Sequence, residues 1–202
     1  MAEKFTDTPR LTRRFDRAMQ LALDHHRMHL RKATKIPYVS HLLAVTAIVL
    51  ELGGSEDEAI AALLHDAVED GGGPTMQKRI TSEFGEAVGT MVAENSDSDT
   101  AVKEKWETRK AAYIAGMVHK SAGGLRVSLA DKLHNARAIK RDLDREGVGV
   151  WERFTAKGPG TAKSYEQLAA AFEKQLATSH TATKAAVTEL RELAQALREC
   201  VA

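Results

Sequence analysis

Along most of the chain, apolar residues recur every three or four positions, and polar runs containing glycine or proline divide the pattern into segments. That period belongs to amphipathic helices, not strands. Phe15, Ala18, Met19, Ala22 and Leu23 mark a first helix reaching about His29, with Thr8 as its cap and Pro9 in its first turn. Leu42, Ala44, Val45 and Val49 mark a second, from near Ser40 to the Gly53-Gly54 pair. Ser55 followed by Glu58 is a capping box for a third helix, apolar nearly all round over 59–64 and extending to about Val68. A helix without a polar face belongs at the centre of a bundle. Gly71-Gly72-Gly73-Pro74 ends it, two short helices follow around Gly85, and 95–100 reads as a polar loop. Next come a helix over 105–118, a turn over 119–124, and a second central helix through Leu125, Leu129, Leu133 and Ile139 that fades in the charged run 140–146. Beyond a predicted turn at Gly158-Pro159-Gly160 lie helices over 165–177 and 184–199. The last carries a stripe of Val187, Leu190, Ala194 and Leu197 that packs within the chain or forms a seam between two copies. No strand and no internal repeat are visible, and the expected fold is all-α.

Composition narrows the class. The 202 residues, 43% hydrophobic and 28% charged, suit one globular domain, expected over 9–178 with a C-terminal helical extension at 179–202. A net charge of +1 provides no broad field to recruit nucleic acid or an anionic membrane. Five per cent aromatics do not furnish a stacking platform for single strands. The single cysteine, Cys200, excludes a disulfide scaffold and a cysteine-based zinc cluster. The opening MAEKFTDTPR lacks the apolar core of a secretory leader, and no apolar run approaches ~18 residues. A cytoplasmic protein is therefore expected.

Three polar clusters interrupt segments that should be buried: His41 at the start of the second helix, His65-Asp66 at the end of the most apolar one followed by Glu69-Asp70, and Asp131 inside the second central helix. An isolated histidine on an apolar face usually satisfies a backbone carbonyl, and Asp131 alone could pair with Lys132 or Arg137. Two buried helices that each carry a carboxylate, accompanied by imidazoles, call for a shared explanation, because an unpaired buried carboxylate is costly. Convergence on one cation offsets the desolvation of all four groups. Two imidazoles and two carboxylates suit Mn²⁺ or Fe²⁺ better than Ca²⁺, with Zn²⁺ also admissible. Adjacent residues on a helix point about 100° apart, so His65 and Asp66 converge only near a helix end.

The order His41, His65-Asp66, Asp131 resembles the H…HD…D signature of HD-domain metal-dependent phosphohydrolases. Arg31-Lys32 ahead of Pro37-Tyr38-Val39-Ser40-His41, then AALLHDAVED at 61–70 and VSLADKLHNAR at 127–137, looks like the hydrolase domain of RelA/SpoT proteins and the stand-alone small alarmone hydrolases. The likeness covers about 15–139. It implies an HD-domain helical bundle and a single metal, usually Mn²⁺, held by His41, His65, Asp66 and Asp131. It further implies that Glu69 and Asp70 orient and deprotonate the attacking water, and that Arg31 and Lys32 form a basic pair at the pocket mouth. The implied reaction is removal of the 3′-pyrophosphate of guanosine tetra- or pentaphosphate, the alarmones of the stringent response, by hydrolysis alone. The implied partner is a small nucleotide, with the protein a monomer or homodimer. Two other readings stand beside it: an HD phosphohydrolase acting on a different nucleotide or small phosphoester, and a catalytically silent nucleotide-binding module.

Other residues are weighed by spacing. Asn135, four after Asp131, shares its helix face and can reach substrate or a ligand. His134 reads as a neighbour of the ligands, and Arg109-Lys110 as a solvated face or a phosphate contact. His25, His26 and His29 read as surface or structural, because no carboxylate follows them at useful spacing, with a role at the pocket edge as the alternative.

Overall fold

The computed structural model describes residues 11–96 and 105–201. Nine α-helices lie among them: α1 Arg13–His26, α2 Val39–Glu51, α3 Glu56–Leu64, α4 Gly73–Phe84, α5 Glu86–Asn95, α6 Trp106–Gly116, α7 Ala122–Glu146, α8 Lys157–Gln175 and α9 Thr181–Glu199. The described residues form no strand, only an isolated antiparallel bridge between Leu30 and Pro37. None of their helices is long and apolar enough to cross a membrane.

Helix α3 is the hub, packed by α1, α2, α5 and α7. Ala59, Ile60, Ala61, Ala62, Leu63 and Leu64 are all fully buried, as a helix without a polar face requires. Its start is the predicted capping box: Ser55 accepts from the Glu58 backbone N–H while the Glu58 carboxylate accepts from the Ser55 N–H at 2.6 Å. Glu58 also pairs with Arg126, tying the hub to α7. Helix α9 lies along α8 and α7, burying Val187, Leu190, Ala194 and Leu197. Arg137 on α7 grips Glu189 on α9 through two hydrogen bonds of 2.6 and 2.7 Å.

Several boundaries differ from the sequence reading. The predicted cap at Thr8 and Pro9 lies outside the described residues, as does most of the polar loop at 95–100. Among the described residues Thr12 caps α1, its hydroxyl accepting from the Arg14 N–H. The turn expected over 119–124 is shorter, since Ser121 caps α7 and draws Gly123 and Gly124 into its first turn. Helix α7 does not fade after Ile139; it runs on to Glu146, supported by an i,i+4 pair between Lys140 and Asp144 at 2.6 Å. The Gly158-Pro159-Gly160 segment is the first turn of α8 instead of a break. Proline lacks only an N–H that no first turn uses, and at Gly158 an added Cβ would meet the Trp151 indole at 3.0 Å. That indole belongs to a 3₁₀ turn, Val148–Arg153, which the periodicity did not reveal. It anchors the C-terminal end by donating from Nε1 to the Cys200 carbonyl at 3.0 Å.

Candidate metal centre

Three elements carry the four predicted side chains: one donor atom each of His41, His65 and Asp66 lies within 4.8 Å of the others, and Asp131 approaches the two imidazoles. His41 projects from the first turn of α2, His65 is the C-cap of α3, Asp66 follows it, and Asp131 lies midway along α7. His65 Nε2 is 2.9 Å from Asp66 Oδ2, and His41 Nε2 is 3.4 Å from the same oxygen. Asp131 joins through the imidazoles, its Oδ1 3.2 Å from His41 Nε2 and 3.8 Å from His65 Nε2. The 100° tension between His65 and Asp66 is relieved because α3 ends at Leu64 and the chain turns there.

A second ring of contacts aims these donors. His65 Nδ1 donates to the Ala62 carbonyl at 2.8 Å, leaving Nε2 facing the carboxylates with no hydrogen bond of its own although buried. His41 Nδ1 pairs with His134 Nδ1 at 2.8 Å. His134 is pushed down to about 4 by burial, His41 and Arg31, so it serves as a neutral partner. The Tyr38 hydroxyl donates to Asp66 Oδ2 at 2.6 Å. Lys132 Nζ donates to Asp131 Oδ2 at 2.5 Å and Asn135 Nδ2 to Asp131 Oδ1 at 2.6 Å. Arg31 in turn donates to Asn135 Oδ1 at 2.6 Å.

The electrostatics call for positive charge at the meeting point. Burial acts to raise Asp66, but the imidazoles, His65 foremost, hold it well below the usual carboxylate range. Burial likewise opposes ionisation of Asp131, and Lys132 with His41 and His65 overrides it downward. Burial would lower His65, yet Asp66 and Asp131 push it up to about 9. Two nitrogen and two oxygen donors, one of them a buried nitrogen without a hydrogen-bond partner, fit a divalent cation of the borderline class.

The cluster opens onto a cleft of about 1340 Å³. Arg31, Lys32, Glu69, Asp70 and Asn135 all line it. The loop bearing Arg31 and Lys32 is closed by Arg31 N–H to Ile36 at 2.8 Å and Tyr38 N–H to His29 at 2.9 Å. Glu69 and Asp70 belong to a wide turn, Val68–Gly72, where Gly71 at φ 99° supplies a left-handed backbone that only glycine adopts without strain. Glu69 is exposed at the mouth, while Asp70 is half-buried and held above the ordinary value by burial and by Asp66.

Arg109 and Lys110, which the sequence reads as a solvated face or a phosphate contact, line the cleft. Sequence reading missed Arg141 and Arg145, which line it too. Stepping from Asp131 by threes and fours along α7 through His134, Asn135, Ala138 and Arg141 to Arg145 would have found them. Tyr38 has no role that the motif around it reveals. His26 is buried, 2% exposed, and is pushed down to about 4 by burial and by His25 and His29.

A helical hub ending in His-Asp, flanked by an imidazole from one helix and a carboxylate from another, defines an HD domain. The HD-domain family pattern matches residues 18–162, and the chain belongs to that family. It is 39% identical over 127 residues, 61% of this chain and 68% of the relative, to the guanosine-3′,5′-bis(diphosphate) 3′-pyrophosphohydrolase of Xenopus tropicalis. The Homo sapiens protein of the same name is 35% identical over the same length and coverage. A GTP pyrophosphokinase of Streptomyces coelicolor is 39% identical over 138 residues, 66% of this chain but 16% of that one. Among solved structures, a metazoan ortholog of SpoT described as hydrolysing ppGpp superimposes with a TM-score of 0.71 at 26% identity, covering 90% of this chain and 95% of that one.

Proposed function

We propose that the protein is a metal-dependent phosphohydrolase that removes the 3′-pyrophosphate of guanosine tetra- or pentaphosphate, using Mn²⁺ held by His41, His65, Asp66 and Asp131. The observation that carries this reading is the meeting of those four donors, 2.9 to 3.8 Å apart across the His–Asp pairs, at the edge of a cleft lined with cations. The relatives that bear the name of such a hydrolase support the choice of substrate.

When bound, the divalent ion supplies Lewis acidity toward a phosphoryl oxygen and toward the attacking water. The Asp70 carboxylate accepts the proton of that water. Its raised pKa makes it a stronger base than an ordinary aspartate. Glu69, one residue earlier at the cleft mouth, orients the water. Water adds to the phosphorus attached to the 3′ oxygen, the bond between them breaks, pyrophosphate leaves and the 3′ oxygen takes up a proton. Arg31, Lys32, Arg109, Lys110, Arg141 and Arg145 along the cleft meet the charge of two diphosphates, for which planar guanidinium groups are well matched. Asn135, fixed between Arg31 and Asp131, links that phosphate-binding side to the metal ligands.

The test offers chelator-stripped protein, reconstituted with Mn²⁺, guanosine tetraphosphate in parallel with nucleoside monophosphates and dinucleotide phosphates. Release of pyrophosphate from the tetraphosphate is expected. Orthophosphate from a monophosphate, with the tetraphosphate untouched, would assign a different substrate.

A further inference from the structure

The end of α1 carries an imidazole cluster that the proposed reaction does not use. His26 is its last residue, and His29 follows one turn later, held by a hydrogen bond from its N–H to the His26 carbonyl at 2.9 Å. Their Nδ1 atoms are 3.0 Å apart. The wide turn after α3 brings Asp70 to them, with Oδ2 4.0 Å from His26 Nδ1, and one donor atom from each of the three residues lies within 4.8 Å of the others. Metal–ligand bonds of about 2.0–2.1 Å imply donor separations of roughly 3.4 Å in a tetrahedral shell, a value that falls between these two distances. The carboxylate missing from this cluster in the sequence is therefore supplied from 41 positions beyond His29 by the fold.

Tyr38 joins the two clusters. Its ring stacks on His26, centroids 5.0 Å apart and planes 19° from parallel, while its hydroxyl holds Asp66 at 2.6 Å. The ring fixes the plane of His26 and with it the direction of Nδ1.

We propose that His26, His29 and Asp70 form a second divalent-cation site, suited to Zn²⁺, Co²⁺ or Ni²⁺, whose filling takes Asp70 out of proton transfer. Two imidazoles and one carboxylate favour these borderline ions over Mg²⁺ or Ca²⁺. A carboxylate bound to a cation is a poorer base, so excess metal inhibits the enzyme that a first equivalent activates. The inhibition rests on the catalytic reading of Asp70; the binding site does not.

Co²⁺ alone is the probe, titrated into chelator-stripped protein by calorimetry, with bound metal counted by elemental analysis after equilibrium dialysis. Wild type binds two equivalents. His29→Gln, at a half-buried position, binds one, and Asp70→Asn weakens the second equivalent at least about tenfold. Asp131→Ala keeps one equivalent, at the second site, and Asp131→Ala with His29→Gln keeps none. Two equivalents retained in both His29→Gln and Asp70→Asn would overturn the second site. Two equivalents retained in Asp131→Ala would instead overturn the first site, leaving His29→Gln to judge the second. In turnover, the rate of wild type rises and then falls as Co²⁺ increases, and His29→Gln moves the falling limb to at least about tenfold higher metal. An unmoved limb would overturn the capture of Asp70.

Discussion

Replacing Lys132 with methionine withdraws the ammonium from Asp131 and keeps most of the apolar stem. Lys132 Nζ lies 2.5 Å from Asp131 Oδ2, with the side chains 19% and 10% exposed, and it also sits over the Tyr113 ring at 5.0 Å. Removing one partner of a buried ion pair costs about 3–5 kcal/mol, because the other charge is left desolvated. Asp131 keeps the Asn135 donor at 2.6 Å and His41 at 3.2 Å, which places the expected loss near the lower figure, about 3 kcal/mol. For a chain of 202 residues, where 1 kcal/mol moves the midpoint about 2–4 °C, the melting temperature falls by roughly 6–12 °C. The assay is thermal and urea unfolding of chelator-treated protein followed by circular dichroism. Asp131→Asn in the same background removes the stranded charge, so the double variant loses less than the sum of the singles, by about 1–3 kcal/mol. A Lys132→Met protein that melts within about 1 °C of wild type, or strict additivity in the cycle, would refute the account of how Asp131 is held.

Two further outcomes follow from the same geometry. Glu69→Gln and Asp70→Asn keep stoichiometric Mn²⁺ and lose about 10²-fold or more in kcat, the scale of a general base; full turnover in both would reassign the base. Burial disfavours the Tyr113 phenolate, but the ammonium groups of Lys132 and Lys120 outweigh it and hold that phenol below 10.0, whereas burial pushes Tyr38 and Tyr165 up, Asp66 adding to the rise at Tyr38. Alkaline difference spectroscopy should show one of the three tyrosines ionising first, below pH 10, in a step absent from Tyr113→Phe. Because the folded value is depressed, ionised Tyr113 favours the fold above its pKa, and that contribution is lost as the pH falls through it. A first step that survives in Tyr113→Phe would contradict this.

What the chain revealed in advance depended on how local each signal is. The hub helix was legible because its cap, Ser55 with Glu58, and its apolar run 59–64 are contiguous. His41, His65, Asp66 and Asp131 stood out for a physical reason, since polar residues in apolar helices require compensation. Contacts assembled from distant segments were not legible. Asp70 meets His26 and His29 only through the turn at Gly71, and Tyr38 bridges two clusters through ring and hydroxyl at once. The first turn of α8 was misread because Gly-Pro-Gly signals a break by propensity, while packing against Trp151 makes that sequence a helix start.

The central claim is that four side chains share one cation, and anomalous diffraction from crystals grown with Mn²⁺ tests it directly. The account predicts a peak about 2.0–2.2 Å from His41 Nε2, His65 Nε2, Asp66 Oδ2 and Asp131 Oδ1. A protein that binds Mn²⁺ with no peak touching those four atoms would contradict it.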